Sequence, residues 1–343
     1  MRPPTEAVPV RTRAAIIPFA VISAFLVLAP CCVRGQARKS PRYDPARAAR
    51  ADGLLEQARL AVGGKEELQR VESFTVSLQV RRFIRYIAVM SPTSVTQKDA
   101  TRNGSLSIEL RMPDKFRKHF SGTTLLNNRF SYVEVVNGDR AWREPPLQAQ
   151  SSNRDPRLVD VSDFERSMAY QAQSAREQLA FFSLAWLIRV LPGDPLRFNY
   201  EGWMQKDGGR VEVISAFGSG DDATLLMLDQ NTHLPTEFDS SVDGVRSLPV
   251  VIEGAAITRR DFNRLMERAA QERKAQRTPP RRIIIQSSLS DYRRISGILI
   301  PHRMVTSIDG RPVEELVIRK IVVNQRLRPK DFEPKPQKKP KER

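Results

Sequence analysis

Between residues 74 and 80 the chain alternates without a break. Phe74, Val76, Leu78 and Val80 are apolar, while Thr75, Ser77 and Gln79 are polar. A period of two belongs to an extended strand with one face buried. Leu106, Ile108 and Leu110 repeat the pattern. Phe130 to Val136 gives a third strand, ended by the turn signal Asn137-Gly138-Asp139, with Trp142 on the returning segment. Further strands are predicted over Arg210 to Phe217, Thr224 to Asp229 and Leu234 to Asp239. Arg282 to Tyr292, Ile300 to Ser307 and Val313 to Val323 read as a closing meander with turns at Ser296-Gly297 and Asp309-Gly310. Short turns between successive strands predict antiparallel pairing.

Other segments follow a helical period. In Ala46 to Val62 the apolar positions Leu54, Leu55, Ala58 and Val62 are so spaced, with Gly63-Gly64 as the stop and a short second helix from Lys65 to Val71. From Asp163 to Leu191, Phe164, Met168, Ala172, Ala175, Leu179, Phe182, Trp186 and Val190 recur at three- and four-residue steps. The last turns, Leu179 to Leu191, are apolar nearly all round, which predicts a helix enclosed by protein. Pro192-Gly193-Asp194-Pro195 stops it. Thr258 to Ala275 is charged, with only Phe262, Leu265, Met266 and Ala269 as an apolar stripe, and predicts a helical insertion near 258–277. The fold class expected is therefore α+β: a curved antiparallel sheet, a half-barrel, wrapped around one long apolar helix. Such a concave face either accommodates an apolar ligand or is filled by the helix as core. The residues expected to line it are Phe74, Val76, Leu78, Val80, Leu106, Ile108, Leu110, Leu179, Phe182 and Trp186.

The N-terminus changes where such a protein would work. Arg2, Arg11 and Arg13 precede the uncharged run Ala14 to Pro30, and Gly35-Gln36-Ala37 offers small residues for cleavage before Arg38. That is the layout of a secretory signal peptide over residues 1–37, and it predicts an exported protein, periplasmic or associated with the envelope. Two other readings stand beside it: an uncleaved anchor, and lipid attachment at Cys31 within Leu28-Ala29-Pro30-Cys31. Residues 38–45 read as a flexible leader, 46–333 as the folded domain, and 334–343 as a disordered basic tail rich in proline. Both cysteines, Cys31 and Cys32, fall in or beside the signal, so a chain cleaved after Ala37 has no thiol chemistry and no disulfide.

The net charge of +17 raises nucleic acid as a partner. Export and the even spread of the basic residues argue against it, and no nucleic acid is expected. An anionic membrane surface, met through the basic tail, or an acidic glycan fits the address better. A solvated surface rich in arginine is the plain alternative.

Candidate chemistry is sparse. The three histidines, His119, His233 and His302, are far apart in sequence and form no metal motif. Gly64-Lys65 lacks the earlier glycine and the following Ser or Thr of a phosphate loop, and Gly218-Ser219-Gly220 lacks the spacing of a nucleophile elbow. Asp221-Asp222 reads as a solvated turn. Glu144, Glu201 and Asp291 are carboxylates that a fold would have to bring together before they did acid–base work. No catalytic residue, metal or cofactor is assigned.

Several patches resemble a known group. They are Ala61-Val62-Gly63-Gly64 with Leu68-Gln69-Arg70-Val71-Glu72-Ser73-Phe74, and Leu228-Asp229 with Thr232-His233-Leu234-Pro235. The ending adds Asp291-Tyr292-Arg293, Gly297-Ile298-Leu299-Ile300-Pro301-His302, Val323-Asn324 and Phe332. Together they resemble exported bacterial proteins related to the outer-membrane lipoprotein carriers and receptors, the LolA/LolB-like superfamily. The resemblance implies a half-barrel closed by helices whose apolar cavity holds lipid or acyl chains, hence a lipid or an acylated protein as partner and no enzymatic activity. The segment near 258–277 and the basic tail depart from it. An envelope interaction or sensing module with a self-filled core is the second functional reading, and an envelope hydrolase the third.

Overall fold

The structure is a computed structural model that describes residues 44–91, 94–125, 127–138, 140–144, 183–184, 188, 196–206, 208–217, 223–244, 250–252 and 281–333. The signal, the leader before Asp44, the insertion near 258–277 and the basic tail lie outside the described residues.

Helix α1 spans Pro45–Val62 and α2 spans Lys65–Gln69. Asp44 caps α1, its Oδ1 accepting from the backbone N–H of Ala46 at 2.9 Å, and Pro45 supplies the fixed φ of a first helical turn. Ala48, Ala51, Leu54, Leu55, Ala58 and Val62 form its buried stripe. It ends at Gly63, where a Cβ would come within 3.0 Å of the Gly297 carbonyl oxygen. The glycine is there because two backbones meet.

The strands are β1 (Ser73–Ser91), β2 (Ser94–Arg111), β3 (Lys115–Thr123), β4 (Arg129–Asn137), β5 (Arg140–Glu144), β6 (Arg197–Lys206), β7 (Gly209–Phe217), β8 (Ala223–Asp229), β9 (Pro235–Gly244), β10 (Val250–Ile252), β11 (Arg281–Ile295), β12 (Ile298–Ile308) and β13 (Arg311–Val323). Twelve form one open, curved antiparallel sheet in the order β5-β4-β3-β2-β1-β13-β12-β11-β9-β8-β7-β6. It consists of two meanders joined where the first strand of the chain pairs with the last. The distal part of β1 outruns β13, and there Ile87, Ala88 and Val89 pair in parallel with β10.

Two hairpins follow directly from local sequence. Ser296-Gly297 and Asp309-Gly310 each close a two-residue loop, and all four residues have positive φ. That is the loop whose twist matches the strands it joins. At the C-terminus a 3₁₀ turn, Pro329–Phe332, sets the fully buried Phe332 against β3 and β4, and Asn137 Nδ2 donates to the Phe332 carbonyl at 3.1 Å.

One expectation is corrected in part. The sheet is as predicted, but a long apolar helix enclosed by it is not shown. Of the segment 163–191 only Ser183, Leu184 and Ile188 are described; all three are buried, and Leu184 and Ile188 belong to the main core. The helix that the described residues place against the inner face is α1, which lies along β6 and touches β12.

Candidate functional site: the inner face of the sheet

Directly opposed residues of antiparallel strands point to the same face, so the register reads out the surface that faces α1. Phe74 stands opposite Leu110, Val76 opposite Ile108, and Leu78 opposite Leu106. All six are buried in one core with Val80, while Thr75, Ser77 and Gln79 lie on the other face. The rows extend in both directions. Phe116 and Val136 continue the Leu110 row, and Phe120 and Tyr132 the Leu106 row. On the other side Val80 faces Leu316, which faces Met304, which faces Leu289. Seven of the residues expected to line the cavity therefore form one apolar floor. Leu179, Phe182 and Trp186 lie outside the described residues.

Two polar rows that the sequence did not reveal adjoin the floor. One crosses nine strands in register: Arg102, Arg82, Glu314, Thr306, Ser287, Phe238, Leu226, Ile214 and Tyr200. Its first part is charged and hydroxylic, its last part apolar. Arg82 Nε donates to Glu314 Oε2 at 2.9 Å, and the Ser287 and Thr306 hydroxyls are 3.2 Å apart. The second continues the Val76–Ile108 row across β3 and β4 and places Lys118 beside Glu134, with Nζ to Oε2 at 3.1 Å. Arg143 stacks 3.8 Å over the Tyr132 ring. A signal was present for Arg82, which continues the period of two from Val80. A charge at a position counted as inward reads as the end of the strand unless its partner, Glu314 in the last strand, is known.

Phe120 links floor and charge. Its ring covers the opposed glycines Gly104 and Gly122, where a Cβ would meet it at 3.1 and 2.8 Å. The Arg82 guanidinium lies 4.0 Å above it, and Tyr132 stacks beside it at 5.4 Å. A cation over an aromatic face is attracted by the ring quadrupole, more so when desolvated.

At the far end of the nine-strand row the face becomes a rim. The Tyr200 hydroxyl donates to Glu212 Oε2 at 2.6 Å, and this hydrogen bond, followed by burial, raises the phenol above its ordinary range. Arg50 of α1 pairs with Glu212 at 3.9 Å and lies over the Tyr200 ring. Beyond them the Arg210 guanidinium stacks 3.4 Å over Trp203.

The outer face carries one unusual acid. Asp239 and Glu237 lie two residues apart on β9, with Lys206 Nζ 2.5 Å from Glu237 and Gln286 opposite Asp239. Burial first, then the hydrogen bond and the charge of Glu237, push the Asp239 carboxyl up to about 7.

The other candidate chemistry is dispersed. Glu144, Glu201 and Asp291 sit on β5, β6 and β11; β5 and β6 are opposite edges of the sheet. Glu201 accepts from Ser215 Oγ at 2.6 Å, and Asp291 pairs with Arg293 at 2.7 Å. His119 is exposed on β3, His233 occupies the β8–β9 turn with φ of 57°, and His302 is buried on β12 with Nδ1 2.9 Å from the Ile300 carbonyl oxygen. Among the described residues no three His, Cys, Asp or Glu side chains gather as metal ligands. The segment 218–222 lies outside the described residues.

No protein-family model and no curated protein matches the chain. Solved structures do. A domain named for outer-membrane lipoprotein sorting, from Vibrio parahaemolyticus, aligns over 83% of this chain and 97% of its own at 11% identity, with a TM-score of 0.42. A LolA superfamily protein from Nitrosomonas europaea gives the same coverage and TM-score, 83%, 97% and 0.42, at 12% identity. A DUF1329 family protein from Desulfovibrio piger aligns over 82% of this chain and 97% of its own at 10% identity, with a TM-score of 0.37.

Proposed function

We propose that this chain is an exported envelope protein that binds a lipid, or the acyl chains of a lipid-modified protein, against the inner face of its sheet. The observation that carries the reading is the apolar floor. Phe74, Val76, Leu78, Leu106, Ile108 and Leu110 form opposed pairs without a polar interruption; the Arg82–Glu314 row lies beyond one end of them, and Lys118 and Glu134 continue the Val76–Ile108 row on the next two strands. An acyl chain needs such a trough, and a headgroup or peptide needs polar groups at its margin.

Ile188 is held in a costly conformation beside the floor. It is a β-branched residue at φ of 46°, buried in the same core, with its carbonyl accepting from Arg59 Nε at 3.3 Å. Left-handed backbone is costly for such a side chain and persists only where its surroundings hold it.

A second reading has its own observation. Every described residue of the floor is already buried, with α1, Leu184 and Ile188 in the same cluster. A self-filled core of this kind suits an interaction or sensing module. Displacement of a fluorescent fatty acid, with native mass spectrometry of protein purified from its own envelope, separates the two. A co-purifying lipid and saturable displacement are expected; a lipid-free protein that displaces nothing would leave the second reading.

A further inference from the structure

We propose that the end of the β6–β7 hairpin is a contact site for the headgroup layer of an anionic membrane, with Trp203 in the interfacial region and Arg210 on a lipid phosphate. The site is separate from the basic tail and from the apolar floor, and it rests on the envelope reading only for where the membrane is met.

Four observations converge there. First, β6 is a terminal strand, and among the described residues no strand pairs with its outer edge. Second, Trp203 and Met204 are 54% and 38% exposed, adjacent in sequence, and in register with Glu212 and Val211, so they stand on opposite faces of that edge. Among the described residues the other large apolar side chains this exposed are Leu60 and Ile284, on other elements. The hairpin end thus offers apolar surface on both sides.

Third, Arg210 stacks 3.4 Å over the Trp203 ring and its Nε is buried without a hydrogen-bond partner. The nearby carboxylates are engaged elsewhere: Glu212 with Tyr200 and Arg50, Glu201 with Ser215 and Arg47. A guanidinium can take a phosphate in two parallel hydrogen bonds, and with Nε buried the two Nη groups are the ones to make them. Fourth, Arg47 and Arg50 of α1 are 55% and 57% exposed on the same rim, in a chain of net charge +17.

Indole and guanidinium together select the partner. Tryptophan settles where one end of its surroundings is apolar and the other wet, and arginine is drawn to the negative potential of anionic lipid. A soluble anion would use the cation and leave the exposed indole and Met204 unexplained.

The test is co-sedimentation of the full mature chain with sucrose-loaded vesicles. One set is phosphatidylcholine and the other carries about one third phosphatidylglycerol, at low and at physiological salt. Wild-type protein should pellet with the anionic set, less so as salt rises. Arg210→Ala and Trp203→Ala should each weaken partition about fivefold to tenfold with an unchanged melting temperature, and Arg210→Lys should fall between, since it keeps charge and loses the stacked fork. Equal partition of wild type and both alanine variants would overturn the proposal. So would loss of binding to inorganic phosphate but not to sodium chloride of matched ionic strength, which would mark a free-phosphate site. Fatty-acid displacement on the same samples reports the floor alone. Vesicle binding without displacement would sink the function proposed above and leave this site standing, and the converse result would do the reverse.

Discussion

Arg82 and Glu314 face each other across β1 and β13 with side chains only 7% and 4% exposed, joined at 2.9 Å. They tie the first strand of the chain to the last inside the core. A buried pair of this kind is costly to break and cheap to replace. Arg82→Ala, which strands Glu314, should cost about 3–5 kcal/mol. Arg82→Met combined with Glu314→Leu should cost far less than either single change. Urea denaturation of the wild type, Arg82→Met, Glu314→Leu and the double variant measures the difference, and additive losses would mean that the two side chains do not act as a unit.

The Phe120 ring fills the space above Gly122, so size at one position is set by the other. Gly122→Ala places a Cβ 2.8 Å from the ring and should cost about 1–3 kcal/mol. Phe120→Leu, itself destabilising, should relieve part of that clash. The double variant is expected to be more stable than the sum of the single losses, as read by thermal melts.

Asn324 stitches the C-terminal end of β13 to the entry of β1. Its Oδ1 accepts from the Glu72 N–H at 2.8 Å, and its Nδ2 donates to the Arg70 carbonyl at 2.8 Å. Its φ is 60°, a conformation asparagine tolerates better than most residues. Asn324→Ala should cost about 1–3 kcal/mol, and Asn324→Gly should still lose the two bonds while keeping the backbone. Faster amide exchange at Glu72 and Ser73 in both variants is the specific readout.

Asp239 makes stability depend on pH. Its carboxyl titrates near 7 in the folded chain against 3.8 ordinarily, so between those values the folded state holds a proton that the unfolded state has lost. Stability is therefore largest below the ordinary value and falls as pH rises through about 7. Asp239→Asn should remove this slope and raise stability at alkaline pH relative to wild type. Melts at steps across the window decide it, and an unchanged slope in the variant would assign the dependence elsewhere.

Strands whose face is uniformly apolar were legible in the sequence. Phe74 to Val80, Leu106 to Leu110 and the closing meander fall where periodicity placed them, and Ser296-Gly297 and Asp309-Gly310 turn as expected. The strand β3 was not, because Lys118 interrupts its inward row between Phe116 and Phe120. The distal half of β1 was missed for a similar reason: Arg82 at an inward position and Phe83 at an outward one break the alternation, and the partner of Arg82, Glu314, lies elsewhere in the chain. β6 was missed because Gly202 shifts its register in the middle. The floor was therefore readable and its charged borders were not, since a buried charge makes sense only beside a partner that pairing supplies.

The pairing of β1 with β13 also dictates an order of events. A chain that leaves a ribosome or a membrane pore N-terminus first presents β1 and β2 long before Val323 exists to meet Phe74. One meander is complete, with an apolar face and an open edge, while its neighbour is still being made. Closure must await the final strand, and contacts so distant in sequence are slow to form. Truncation within β13 would therefore do more than shorten the sheet. It would leave the first half of the molecule permanently in its aggregation-prone waiting state.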